Sequence, residues 1–194
     1  MILIYIHGFG GNGEGKKASL FREYARGKNY RFIAPSLSYI PTLAISTLEE
    51  LAESYIALGQ EVVFVGSSLG GFYSIYLATK YKTKAALINP AVQPYNTLSR
   101  TITRGKSYYD GSIFEWNEGH IEMLHRYQVD SIEPERFMLL VQKGDEILDY
   151  SYATQKFADS LQVVEEGGDH SFVGIERYFD RMYDFLQGGR SCEL

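Results

Sequence analysis

The sequence predicts an α/β fold in which a mostly parallel sheet of about six strands carries helices on both faces. Short apolar runs recur along the chain. They are continuous rather than alternating, which is typical of strands covered on both sides. Amphipathic segments suited to helices separate these runs and favour right-handed βαβ crossovers. The strand candidates are residues 2–6, 31–34, 62–65, 85–88, 138–141 and 162–164.

Composition limits the classes of protein to which the chain can belong. Its 194 residues are expected to form a single domain, residues 1–194, and 45% hydrophobic residues suffice for a core. A formal net charge of −5 disfavours nucleic-acid binding and gives no reason to expect a membrane partner. Cys192 is the one cysteine, and the run 2–6 is too short for a signal peptide, so a cytoplasmic location is expected. Residues 188–194 are expected to form a flexible tail.

The first predicted strand leads into a glycine-rich loop that begins His7-Gly8-Phe9-Gly10. A loop at the carboxyl end of a strand can present a backbone N–H to an oxyanion. We select Phe9 as that donor and Gly10 as the second choice. His7 is expected to hold the loop rather than to act as a base.

The same loop contains a second pattern that points to a different function. Residues 8–13 spell G-x-G-x-x-G, the fingerprint of dinucleotide-binding folds. That site needs an acidic residue after the second strand, where this chain has Pro35 and Ser36. A near match to a phosphate-binding P-loop also fails, because Lys17 occupies the position of the magnesium-binding Ser or Thr.

The third predicted strand leads into Gly66-Ser67-Ser68-Leu69-Gly70. A strand, a sharp turn around a serine and a helix, predicted here over residues 71–80, form the context of a nucleophile elbow. Glycines two residues before and after the serine relieve collisions around its strained backbone, and only Ser68 has both. The helix N-terminus would direct free N–H groups at the site, which makes Leu69 the second predicted oxyanion donor.

No strand is predicted between residues 90 and 135, a long segment rich in aromatic residues. Long excursions after a strand are usually functional or disordered. We interpret residues 90–135 as a candidate lid over Ser68, with Tyr95 and Trp116 as candidate substrate or lid residues. The alternative is a helical insertion that only packs on the sheet.

A serine nucleophile needs a base, and a carboxylate usually orients that base. Of the four histidines, His170 follows the last predicted strand in a glycine-rich loop at the carboxyl edge of the sheet. Asp145 follows the preceding strand and is the selected carboxylate, with Asp149 as its main competitor and Glu146 as a weaker one. The chain order Ser68, Asp145, His170 matches the α/β-hydrolase fold and neither of the two other common serine triads.

These motifs together resemble the small bacterial YqiA-type esterases of the α/β-hydrolase superfamily. The resemblance covers nearly the whole chain and implies a minimal α/β-hydrolase fold without the first two strands of the superfamily. It also implies serine esterase or thioesterase activity on acyl substrates, with Ser68, Asp145 and His170 as the triad and Phe9 and Leu69 as oxyanion donors. The blocks that carry it begin at His7 and span residues 66–71, 89–95, 144–150 and 167–172.

The sequence therefore predicts a serine hydrolase that cleaves a small acyl ester or thioester through an acyl-enzyme on Ser68, without a cofactor. No metal is predicted, because His120 and His125 lack the spacing of a helical zinc motif. Two alternatives stay open. One is a non-catalytic binding or interaction protein that retains the hydrolase fold, and the other, less favoured, is a dinucleotide-binding protein.

Overall fold

The computed structural model describes residues 1–188, and a six-stranded parallel sheet lies at its centre. The strands are β1 (Ile2–Ile6), β2 (Arg31–Ile33), β3 (Val62–Ser67), β4 (Ala85–Ile88), β5 (Gly105–Lys106), β6 (Ile113–Phe114), β7 (Phe137–Gln142) and β8 (Leu161–Glu165). The central sheet has the order β2-β1-β3-β4-β7-β8, and each neighbouring pair is parallel. The predicted fold class is confirmed, and each predicted strand is found with its bounds shifted by at most two residues.

Helices cover both faces of this sheet. They are α1 (Lys16–Gly27), α2 (Pro41–Ala57), α3 (Leu69–Tyr81), α4 (Pro94–Leu98), α5 (Glu118–His125), α6 (Tyr150–Lys156) and α7 (Phe179–Leu186). Helices α1 and α7 pack on one face, whereas α2, α3, α5 and α6 pack on the other. This is the two-sided cover that continuous apolar strands require.

Successive residues of a strand point to opposite faces of the sheet and belong to two different hydrophobic cores. In β1, Ile4 faces the core under α2 and α3, whereas Tyr5 faces the core under α1 and α7. The inner strands β1, β3, β4 and β7 are buried along their whole lengths, whereas the edge strands β2 and β8 are partly exposed. Because the carboxyl ends of parallel strands share one edge, the loops after β1, β3, β4, β7 and β8 converge there.

The prediction that residues 90–135 contain no strand is wrong. Strands β5 and β6 pair as a short antiparallel hairpin within that segment. Each has only two residues, and even the two apolar residues of β6 are too few for hydrophobic periodicity to reveal a strand. The hairpin is fixed by tertiary contact instead, since the N–H of Tyr108 in its turn donates to the carbonyl of Gly10 at 2.8 Å.

The rest of this segment packs on the sheet through a buried aromatic centre. Trp116 is fully buried, and its indole N–H donates to the Leu98 carbonyl at 3.2 Å. Its ring stacks on His120, with centroids 5.0 Å apart, and contacts Phe9 edge-on at 4.7 Å. Leu124 of α5 is also fully buried. The segment therefore contributes to the core on the α2 and α3 face.

Part of the predicted tail, residues 189–194, lies outside the described residues, and so does Cys192. Within residues 1–188 no helix combines the length and the hydropathy that a membrane crossing requires. Whether residues 90–135 move as a lid stays a prediction.

Substituting Trp116 tests whether the segment is part of the folded core. We expect Trp116→Ala to lower the free energy of unfolding by about 3–5 kcal/mol, because it removes a fully buried side chain and leaves a cavity. In urea unfolding this should lower the midpoint by about 1–2 M. Tyr109→Ala is the matched control, because Tyr109 lies in the same segment with 74% of its surface exposed. Its effect should stay within about 0.5 kcal/mol, and equal effects of the two substitutions would contradict a core role for Trp116.

Candidate active site

Ser68 lies at the turn between β3 and α3 in a strained backbone conformation. Its φ is 56° and its ψ is −122°, a region that non-glycine residues rarely adopt. The flanking glycines are required by close approach. A Cβ on Gly66 would lie 2.2 Å from the Gly70 carbonyl oxygen, and one on Gly70 would lie 2.0 Å from that of Ile6. The elbow thus holds β1, β3 and α3 in contact and presents Ser68 at the carboxyl edge of the sheet.

The structure brings Ser68, His170 and Asp145 into one hydrogen-bonded chain. His170 Nε2 lies 3.0 Å from Ser68 Oγ, and His170 Nδ1 lies 2.8 Å from Asp145 Oδ2. The side chain of Asp145 is only 2% exposed, whereas that of His170 is 24% exposed. The partners fix the imidazole tautomer, because Nδ1–H donates to the carboxylate and Nε2 accepts from the serine hydroxyl.

The surroundings of Asp145 keep its carboxyl ionised. Burial acts to raise its pKa, but the hydrogen bond from His170 and those from the N–H groups of Ile147 and Leu148 outweigh burial and lower the pKa below its usual value. The two competing carboxylates have other partners. Asp149 caps α6 by accepting the N–H of Ser151 at 2.9 Å, and Glu146 accepts the backbone N–H of His170 at 3.0 Å. Of the three, Asp145 is the one that contacts the imidazole.

Two polar side chains that no sequence motif singled out hold the His170 loop. Asn89, which follows β4, donates from Nδ2 to the carbonyls of Asp169 and His170 at 3.0 and 3.2 Å. Gln142, at the end of β7, accepts the N–H groups of Asp169 and Val173 through Oε1 at 3.2 and 2.9 Å. Both side chains are buried, and Asn89 Oδ1 accepts the Gln142 N–H at 3.0 Å. A polar residue at the end of an apolar strand is the signal that could have identified each of them.

Lys17 holds the same loop from α1. Its Nζ donates to the Ser171 carbonyl at 2.6 Å. Burial lowers the pKa of Lys17 to about 8, although the nearby carboxylates of Asp169 and Asp145 act to raise it. In the sequence this lysine appeared only as the residue that disqualifies a P-loop. Its actual contact is with a residue 154 positions away in the chain, which no local pattern indicates.

The two predicted oxyanion donors lie in different elements, Phe9 in the loop after β1 and Leu69 at the start of α3. Among the hydrogen bonds within residues 1–188, none uses the N–H of Phe9 or that of Leu69 as donor. His7 fixes the loop, since its Nδ1–H donates to the Gly8 carbonyl at 2.9 Å and its Nε2 accepts the Leu37 N–H at 3.0 Å. Burial lowers the pKa of His7, which keeps this imidazole neutral and suited to both contacts.

The two candidate lid residues do not lie at the nucleophile. Trp116 is fully buried and its ring packs edge-on against Phe9, which is a packing role rather than contact with a substrate. The Tyr95 ring stacks on His125, with centroids 4.1 Å apart. Neither residue lines either of the two main cavities of the described chain. Within residues 1–188 no group of three or more histidine, cysteine, aspartate or glutamate side chains is placed to hold a metal ion.

Comparison with known proteins places the chain in a family and a fold. The family model described as "Uncharacterised protein family (UPF0227)" matches residues 2–187. A UPF0227 protein of Vibrio vulnificus is 22% identical over 195 residues, which cover 96% of this chain and 99% of that protein. The mouse alpha/beta hydrolase domain-containing protein 10 matches with a TM-score of 0.73 at 17% identity, covering 96% of this chain and 89% of that chain. Est1E of Butyrivibrio proteoclasticus, solved with ferulic acid bound, matches with a TM-score of 0.71 at 14% identity, covering 96% and 88%.

The buried position of Lys17 predicts a specific pH dependence of stability. Between pH 8 and about 10 the unfolded chain keeps the Lys17 proton while the folded chain releases it, so the free energy of unfolding rises with pH in this window. We expect wild type to gain stability relative to Lys17→Met between pH 7 and pH 9.5, as measured by urea unfolding. Lys16→Met is the matched control, because Lys16 is the exposed neighbour on the same helix turn. A Lys17→Met difference that does not change with pH would rule out this buried titration.

Proposed function

The chain belongs to the UPF0227 family, and we propose that it is a serine hydrolase that cleaves carboxylic esters or acyl thioesters through an acyl-enzyme on Ser68. The observation that carries this proposal is the continuous hydrogen-bonded chain from Ser68 Oγ through His170 to Asp145. A serine hydroxyl is a poor nucleophile until a neighbouring base takes its proton, and this geometry supplies that base.

In the first half of the reaction Ser68 Oγ attacks the acyl carbon while its proton passes to His170 Nε2. Asp145 keeps the imidazole oriented through Nδ1 and stabilises the imidazolium that forms. Nε2–H then donates its proton to the leaving oxygen or sulfur as the bond to the acyl carbon breaks. The products of this half are the free alcohol or thiol and an ester of Ser68.

The second half repeats these steps with water. A water molecule attacks the acyl carbon as His170 Nε2 takes one of its protons, and that proton returns to Ser68 Oγ when the acid leaves. In both halves the N–H groups of Phe9 and Leu69 are the proposed donors to the oxyanion. Their freedom from other partners within residues 1–188, together with the N-terminus of α3, supports this assignment. A carboxylic acid is thus the expected product, the class to which the ferulic acid bound to Est1E belongs.

A binding protein that retains the hydrolase fold remains the second candidate, because fold alone does not fix function. One feature argues against it. A strained serine, an oriented imidazole and a buried ionised carboxylate each cost stability, and a protein that only binds has no need for the three to be aligned.

Dinucleotide binding through residues 8–13 has less support. A pyrophosphate would have to approach the backbone of this loop closely. The β5–β6 hairpin already occupies that approach, since a Cβ on Gly10 would lie 2.3 Å from the Lys106 carbonyl oxygen. The absence of thermal stabilisation by saturating NAD(H) or NADP(H) would agree with this interpretation.

Removing the serine hydroxyl is the direct test of the proposal. We expect Ser68→Ala to lose labelling by a fluorescent fluorophosphonate and to lower kcat with p-nitrophenyl acetate by about 10³-fold or more. Ser67→Ala is the matched control, because Ser67 is the adjacent serine in the same turn. This variant should keep both labelling and turnover. If Ser68→Ala retained most of its activity, the proposed mechanism would be wrong. If folded wild type neither labels nor turns over, the binding-protein alternative is favoured.

Two aspartates close together in the chain allow the role of the carboxylate to be tested. Asp145→Asn should lower kcat by about 10³–10⁴-fold, because an amide cannot orient the imidazole in the required tautomer or stabilise its charge. Asp149→Asn should change kcat by less than about threefold, since Asp149 caps α6 and does not contact His170. Circular dichroism of both variants checks the fold. The opposite ranking of the two variants would assign the role to Asp149.

A further inference from the structure

A cavity of about 240 Å³ lies beside the proposed oxyanion donors. Phe9 and Leu69 are part of its wall. If the carbonyl oxygen of an ester lies between their N–H groups, either the acyl group or the leaving group of that ester lies at the mouth of this cavity. Four parts of the chain build the remaining wall: the loop after β1, residues 37–39 after β2, helix α3 and the β5–β6 hairpin. Its larger side chains include Leu37, Tyr39, Tyr73 and Phe114.

The hairpin wall is held in place by aromatic contacts. The ring of Tyr39 stacks on Phe114, with centroids 4.5 Å apart, and Phe114 contacts Phe9 edge-on at 5.4 Å. The hydrogen bond from Tyr108 N–H to the Gly10 carbonyl joins the hairpin to the loop after β1. The residues that were predicted to form a lid thus supply one side of a preformed cavity next to the nucleophile.

The wall of this cavity is uncharged and combines aromatic and aliphatic side chains with the hydroxyls of Ser38, Ser107 and Ser112. None of its residues carries a carboxylate, an ammonium or a guanidinium group. The one imidazole, that of His7, has both nitrogens engaged by Gly8 and Leu37. A charged substituent would therefore be desolvated here without a partner, whereas each buried methylene would raise kcat/KM by about fourfold.

A second cavity, of about 480 Å³, lies on the other side of Ser68 and is more polar, with charged side chains in its wall. It is bordered by the loops after β4 and β7, whereas the first is bordered by those after β1 and β2, and β3 lies between these two pairs of strands. Its wall includes Gln93, Asn96, Arg100 and Asp149, and the N–H of its Ala91 donates to the Ser68 carbonyl at 3.0 Å. The two halves of a bound ester would thus enter chemically different spaces.

We propose that the cavity beside Phe9 and Leu69 binds the acyl group and limits it to a compact apolar chain, while the polar cavity takes the leaving group. This inference rests on the proposed function. A cavity of about 240 Å³ is large enough for an acyl chain of medium length, and we expect a preference for six to eight carbons. Longer acyl chains would extend past the wall formed by Tyr39 and the hairpin.

The test is a series of p-nitrophenyl esters from acetate to dodecanoate, assayed on wild type and on three tyrosine variants: Tyr39→Ala, Tyr152→Ala and Tyr109→Ala. Wild-type kcat/KM should rise to a maximum at six to eight carbons and then fall. Tyr39→Ala opens the first cavity and should raise the ratio of decanoate to hexanoate kcat/KM by about 15-fold, the value of roughly two methylenes. Tyr152 lines the second cavity and Tyr109 lines neither, so their variants should leave this ratio within about twofold of wild type.

A second variant narrows the first cavity instead of opening it. It keeps the proposal testable if Tyr39→Ala fails to fold. Ser112 lies on the cavity wall and is exposed, so Ser112→Phe should move the maximum to shorter chains. An unchanged ratio in both variants, or a shift produced by Tyr152→Ala instead, overturns the acyl assignment. Fluorophosphonate labelling of wild type distinguishes failure of the cavity assignment from failure of the proposed function. Labelling with an unchanged ratio overturns only the assignment of the cavity, whereas loss of labelling and turnover in wild type overturns the proposed function with it.

Discussion

The close approach of β1, β3 and α3 at the nucleophile turn is the constraint on which the rest of the site depends. Gly70 lies so near the Ile6 carbonyl that no side chain fits between them, and Gly66 stands in the same relation to Gly70. This contact places the loop after β1 against Ser68 and so brings Phe9 and Leu69 to one point. The strain at Ser68, about 1–3 kcal/mol for such a residue, persists because buried strands on both sides determine the turn.

The second fixed point is the His170 loop, which a different kind of interaction holds. The loop follows the edge strand β8, and several of its backbone groups bond to the side chains of Asn89, Gln142 and Lys17. Buried polar groups specify geometry only when each finds its partner. The two side-chain amides meet this condition by bonding both to the loop and to a neighbouring strand: Asn89 accepts the Gln142 N–H of β7, and Gln142 donates to the Glu165 carboxylate of β8. The position of His170 is therefore set by β4 and β7 rather than by its own chain neighbours.

Much of this arrangement could be predicted from the sequence, because local rules determine it. Continuous apolar runs indicated the strands of the central sheet, and the glycine spacing singled out Ser68 within its turn. The positions of Asp145 and His170 at strand ends then followed from the rule that parallel strands end at one edge. Each of these inferences uses residues within one strand and its following loop. Asn89 and Gln142 interrupt the apolar pattern at the ends of two strands, which marks them as exceptions, but their partners in the His170 loop are far away in the chain.

The parts that could not be predicted are those created by contacts between segments far apart in the chain. The β5–β6 hairpin has no hydrophobic period of its own and exists because Phe114 finds Phe9 and Tyr39, two residues from different loops. From the sequence Trp116 is a candidate substrate or lid residue for the same reason, because the core that buries it is formed by residues distant in the chain. Lys17 belongs to this class as well, since its partner lies at the other end of the chain. Local sequence thus determines which residues reach the carboxyl edge of the sheet, whereas long-range packing determines the shape of the cavities on either side of Ser68.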